Sequence, residues 1–131
     1  MQKLKFPKLP DILLSHDDLI ARFGGMPGIR DEGLLISALA QPEATFGGEL
    51  LHSTIYEQAA AYLYHLAKNH PFVDGNKRTA FAVMDIFLRM NGYKIKLTNP
   101  QIYHLVLQVV QDDMSKENLA NYLEQVIEKQ S

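Results

Sequence analysis

The chain of 131 residues contains no cysteine. Disulfide frameworks, cysteine nucleophiles and thiolate zinc sites are therefore excluded. An excess of one charge is also missing. Thirteen Lys and Arg stand against fifteen Asp and Glu, a formal net charge of -2, so no global field exists to hold a polyanion such as DNA. Direct nucleic-acid binding is not expected, and any phosphate binding must be local. The longest apolar run, Ala80 to Met90, is broken by Asp85 and Arg89 and falls far short of the ~20 residues that cross a bilayer. The start, Met1 to Pro10, carries Lys3, Lys5 and Lys8 but no continuous apolar stretch of the secretory kind. These absences predict a cytoplasmic protein without a membrane partner.

What is present is the composition of a globular domain, 47% apolar and 21% charged. A chain of this length builds one core rather than two, so a single domain over 1–131 is expected. Helical periodicity runs through most of it. Ser15 is a candidate cap for a first helix with Leu19, Ile20 and Phe23 on one side, stopped by Gly24 and Gly25. Asp31 opens a short second helix that ends at Pro42. Residues 42–53 carry Gly47 and Gly48 without periodicity and read as a loop or small hairpin. Thr54 caps a third helix, with Ile55, Ala59, Tyr62, Leu63 and Leu66 on one stripe, and Pro71 ends it at His70.

Lys77 to Asn91 reads as a fourth helix whose apolar residues cover almost its whole circumference, which places it at the centre of the fold. Asp85 and Arg89 are spaced to pair on its polar face. A brief strand over Tyr93 to Leu97 follows. Asn99 and Pro100 open a fifth helix. Ser115 opens a sixth, with Leu119, Tyr122, Leu123, Val126 and Ile127 as its stripe. The expected architecture is all-α: a helical bundle around a buried central helix, with at most a minimal hairpin.

Chemistry concentrates in His70-Pro71-Phe72-Val73-Asp74-Gly75-Asn76-Lys77-Arg78. This stretch joins the exit of one helix to the start of the next. A helix N-terminus offers unpaired N–H groups and about half a positive charge, a ready phosphate site. Gly75 allows close backbone approach, forming an anion nest. Asn76, Lys77 and Arg78 add donors, with Arg able to grip two oxygens at once. Asp74 beside such anions implies a bridging hard cation, and one carboxylate plus substrate phosphates is the usual way to hold magnesium. His70, whose unperturbed side chain titrates near 6.5, is the candidate general base. The fitting chemistry is attack of an alcohol on a magnesium-bound nucleotide phosphate.

The segment resembles the signature of the Fic/Doc superfamily, His-Pro-Phe-x-Asp/Glu-Gly-Asn-Gly/Lys-Arg. Every specified position is satisfied, a coincidence of about 10^-10 per starting point for evenly used residues. The chain length, the stretch Gly28-Ile29-Arg30-Asp31-Glu32-Gly33-Leu34-Leu35, and Lys77 in place of the glycine of adenylylating members are similar to the Doc, or death-on-curing, toxin branch. The resemblance implies a Fic-like helical fold. It also implies His70 as the base, Asp74 as the magnesium ligand, Gly75, Asn76 and Lys77 as the anion hole, and Arg78 as a phosphate clamp. Doc-type toxins pass the γ-phosphate of ATP to a threonine of elongation factor Tu, whereas most of the superfamily transfers AMP. Asp74 and Gly75 are closer to the adenylylating pattern, so AMP transfer stands as the alternative, beside a non-catalytic module that binds antitoxin or nucleotide. No Ser/Thr-x-x-x-Glu-Gly/Asn inhibitory motif occurs. Restraint by a separate antitoxin is implied.

Several residues have plainer readings. Phe72 is expected to be a core anchor rather than a catalytic group, and for Asp74 a cap on the fourth helix is the plainer alternative, one that does not exclude metal binding. His16, His52, His65 and His104 are expected to be structural or surface residues. Arg30, Asp31 and Glu32 read as helix-start chemistry. The loop 42–53 corresponds in position to the flap that aligns the target segment in Fic proteins.

Overall fold

A computed structural model of the protein describes residues 4–130. Its elements run α1 (Leu9–Phe23), α2 (Glu32–Ala40), a 3-10 turn (Gln41–Glu43), β1 (Thr45–Phe46), β2 (Glu49–Leu50), α3 (Ile55–Asn69), α4 (Asn76–Met90), β3 (Tyr93–Ile95), α5 (Asn99–Val110), α6 (Lys116–Val126) and β4 (Ile127–Lys129). Helices carry the architecture, as the periodicity predicts, and the strands form two small antiparallel pairs, β1 with β2 and β3 with β4. Among the described residues no helix is long and apolar enough to cross a membrane.

The capping chemistry accounts for most helix starts. Asp31 accepts from the Leu34 N–H, Thr54 from Glu57 and Ser115 from Asn118, each pairing one of the orphan donors of a first turn. Thr98, one residue ahead of the expected Asn99, caps α5 and forms a reciprocal box with Gln101. The first helix begins earlier than Ser15 suggests. It starts at Leu9 with Pro10 in its first turn and Asp11 close behind, a proline-initiated start that needs no side-chain cap.

The central helix is α3 rather than α4. It packs against α2, α4, α5 and α6, and Ala59, Ala60, Ala61 and Leu63 on it are fully buried. The physical reason lies in its alanines, which add little to an apolar stripe but let neighbouring helices approach closely. Helix α4 lies to one side, with Phe81 and Ile86 only half-buried. The Asp85–Arg89 pair forms on its surface at 2.9 Å.

The sixth helix also stops sooner than its apolar stripe. Ile127 leaves the helix and pairs with Ile95, while Lys129 pairs with Tyr93. Strand β3 would otherwise present unpaired backbone groups. β-Branched Ile127 accepts either geometry, and the long-range pairing decides.

Candidate active site

The functional loop is the connection between α3 and α4, and its shape is set by backbone contacts to another loop. Val73 N–H donates to Gly28 O at 3.0 Å, and the N–H groups of Arg30 and Asp31 donate to Pro71 O at 2.8 and 3.0 Å. The segment after α1 thus lies antiparallel to the loop, with Ile29 opposite Phe72. Phe72 itself is 1% exposed and roots the loop in the core, as expected. Its burial is worth roughly 1.5–3 kcal/mol.

Asn76 closes the loop from the other side. Its Oδ1 accepts from the Phe72 N–H at 2.9 Å and its Nδ2 donates to Phe72 O at 3.0 Å. Both arms of the carboxamide are therefore engaged. What Asn76 has left to offer an anion is its backbone N–H, the first of α4. No side chain caps that helix, so the N–H groups of its opening turn lack intrahelical partners and face outward as donors. Gly75, at φ 73, provides the left-handed turn ahead of them, and a Cβ there would lie 3.2 Å from Ile20 Cδ1.

His70 ends α3 in the left-handed conformation, φ 49 and ψ 54. For a residue with a Cβ this costs roughly 1–2 kcal/mol, so the surroundings must impose it. Arg30 reaches this turn from outside: its Nε donates to His70 O at 2.7 Å and its Nη2 donates to Asn69 O at 2.9 Å. His70 is exposed and lines a cavity of 590 Å³ shared with Arg30, Asp74, Lys77, Arg78 and Tyr103. That volume lies within the range of small-molecule sites.

Asp74 stands at the turn into α4, exposed to solvent. Its Oδ1 accepts from the Gly75 N–H at 2.9 Å and its Oδ2 from the Met26 N–H at 3.2 Å. These two hydrogen bonds, Gly75 first, hold its carboxyl below the usual carboxylate range, with Arg78 and His16 adding to the effect. Gly25 makes the Met26 contact possible: at φ 118, a Cβ on it would fall 2.8 Å from Asp74 Oδ2. Instead of capping α4 with its side chain, Asp74 presents an ionised carboxylate with unused lone pairs. Among the described residues no three His, Cys, Asp or Glu side chains gather to hold a metal. A single carboxylate beside a cavity with room for a phosphate could hold an ion bound mostly by water and by oxygens of that phosphate, the habit of magnesium.

The loop thus gathers every residue singled out from the sequence: His70, Asp74, Gly75, Asn76, Lys77 and Arg78 all line one cavity. Lys77 and Arg78 are exposed, and the Arg78 guanidinium lies 4.6 Å from the centre of the Phe23 ring. Two supports escape sequence reasoning. Arg30 is one. The other is His16, 2% exposed, whose ring stacks on Phe72 at 3.9 Å and whose Nε2 is hydrogen-bonded to Asp74 O at 2.8 Å. The i, i+4 spacing of Ile12, His16 and Ile20 on one helical face was the available signal. His104 is exposed, while His52 is buried.

With this geometry in place, the family follows. Residues 6–88 match the family model described as the Fic/DOC family, and the chain belongs to that family. Over 113 residues it is 31% identical to the protein kinase doc of Escherichia phage P1, a match covering 86% of this chain and 88% of that protein. It is 48% identical over 73 residues to Toxin Doc of Mycolicibacterium smegmatis, covering 56% of each chain. The matched stretch thus spans little more than half of that relative. Both relatives place the likeness in the Doc branch.

Proposed function

We propose that the chain is a Doc-type toxin that transfers the γ-phosphate of ATP to a protein hydroxyl, with a threonine of elongation factor Tu as the acceptor and translation as the process halted. The observation that carries this reading is the shared cavity, which His70 lines together with the uncapped N-terminus of α4, Lys77 and Arg78. His70 takes the proton of the acceptor hydroxyl. The hydroxyl oxygen then bonds to the γ-phosphorus, and the bond to the β-bridging oxygen breaks to release ADP. The α4 N–H groups with Lys77 and Arg78 hold the phosphate charge that builds up. Asp74 would hold magnesium, which supplies charge neutralisation between the phosphates when bound.

Lys77 supports the terminal phosphate as the transferred group. Its side chain fills space that glycine leaves free and adds a charge, which favours the triphosphate lying with its terminal phosphate toward His70. The relative named as a protein kinase, similar over most of both chains, supports the same choice. The reading carries with it a separate antitoxin as partner and a cytoplasmic site of action.

ATP labelled at the α or the γ position, incubated with the protein and cell extract, tests the reading. Label from the γ position is expected on a protein acceptor. Label from the α position would make the protein an AMP transferase, the outcome favoured by Asp74 and Gly75 in the first half of the motif. His70→Ala should lower transfer about 10^2- to 10^4-fold, the usual contribution of a general base. Growth inhibition untouched by that change would indicate a non-catalytic binding module.

A further inference from the structure

We propose that Arg30 is a positioning residue for the base: its guanidinium fastens the end of α3 so that the imidazole of His70 is presented to the cavity. The inference rests on the reading of His70 given above and extends the machinery to a residue outside the motif.

The last carbonyls of a helix have no partners within it, and glycine in the left-handed conformation is the common way to end one. Here the left-handed position holds His70, because glycine would supply the turn without the imidazole. The conformation must therefore be imposed from outside. Arg30 makes contact with three consecutive carbonyls. Its Nη2 donates to Asn69 O at 2.9 Å, its Nε to His70 O at 2.7 Å and its backbone N–H to Pro71 O at 2.8 Å. A planar fork fixes direction as well as distance, and its charge is favourable at a helix C-terminus.

The fork is itself well rooted. The neighbouring Asp31 donates its N–H to the same Pro71 O and caps α2 through the Leu34 N–H. Asn69 Nδ2 reaches Leu34 O at 3.0 Å, so α2 and the exit of α3 are joined at this point. The orientation of the peptides around residue 70 sets the direction of the His70 side chain. With the fork removed, relaxation of the left-handed turn would swing that side chain, and a displacement of about 1 Å costs on the order of 10^2-fold in rate. The phosphate donors of α4, from the Asn76 N–H onward, keep their own support in the contacts of the Asn76 side chain to Phe72. Arg30, although it borders the cavity, spends its Nε and Nη2 donors on main-chain carbonyls. Nucleotide binding should be spared.

The test compares Arg30→Ala and Arg30→Lys in the full chain. It measures kcat, KM for ATP, calorimetric affinity for ATP with magnesium, the thermal midpoint, and the Cα and Cβ carbon shifts of His70, which report the left-handed conformation whether or not transfer occurs. Arg30→Ala should lose about 10^2-fold in kcat, with KM and affinity held within about twofold, and the His70 shifts should leave their left-handed values. Arg30→Lys should recover part of the rate, since one hydrogen bond and the charge survive. The proposal is overturned if kcat is unchanged, if the His70 shifts stay put, or if kcat, KM and the midpoint deteriorate together with lysine no better than alanine. A wild-type chain that transfers no label overturns the role of His70 as base, and the carbon shifts still decide whether Arg30 fastens the loop.

Discussion

Two loops of similar length are held in opposite ways. The 70–75 loop is pinned by Phe72 in the core, by both arms of Asn76, by the Arg30 fork and by backbone pairing to residues 28–31. The hairpin of β1 and β2 has two residue pairs, all four residues exposed, with Phe46 83% exposed at its end. Reacting groups lose rate when displaced by an ångström, so their loop is fixed on every side. A segment that meets varied partners gains from few internal contacts and low local stability. This hairpin is what the loop 42–53, placed at the flap position by the family resemblance, forms in the structure.

Breaking the rigid side should give the largest effect. Asn76→Ala removes both contacts to Phe72 and should lower γ-phosphate transfer by about 10^2-fold, with a stability loss of roughly 1–3 kcal/mol from unpaired buried groups. Near-normal transfer by a folded variant would show that the loop does not depend on this closure. Next is Gly25→Ala, whose Cβ would intrude on Asp74 Oδ2 at 2.8 Å. It should raise the magnesium concentration needed for half-maximal transfer by about 10-fold, in line with changes to groups that orient a metal ligand. An unaltered magnesium dependence would remove Asp74 from the metal role.

On the loose side, Phe46→Ser should leave the urea-unfolding free energy within about 0.5 kcal/mol, as for other exposed positions, while raising KM for the acceptor protein but not for ATP. A marked loss of stability would mean that the hairpin is structural. A separate effect, on stability alone, concerns His65 on α3, close to where the chain returns to the core at His52. Burial first, then Lys116 and His52, push His65 down to about 4, and its Nε2 lies 3.2 Å from Lys116 Nζ. The fold therefore favours the neutral ring. Between an unfolded value near 6.5 and about 4 the unfolded chain binds more protons, so stability falls as pH falls through that window. His65→Gln should flatten the decline in thermal midpoint, and an equal slope in both proteins would place the pH dependence elsewhere.

Much of the fold was legible because it is written in local rules. Asp31, Thr54 and Ser115 cap where a short polar side chain precedes an apolar stripe, and Gly24 and Asn91 close helices as such residues do. The bundle's centre was not legible, since Ala59, Ala60 and Ala61 become central only through the neighbours that cover them. Nor was the end of α6, where a partner strand far along the chain overrides helical periodicity.

For the site the division is similar. Sequence alone determined the candidate set, His70 through Arg78, because consecutive residues from the end of one helix to the first turn of the next share one place however the rest folds. Only the tertiary structure decided what holds that set in position. Arg30 lies forty residues before His70 and His16 fifty-eight before Asp74; the helical spacing of His16 marks its inward face, but no local pattern names the partner of either residue. Chemistry tied to neighbouring residues is carried by short-range geometry, whereas the stiffness that makes it effective comes from packing and hydrogen bonds between distant segments.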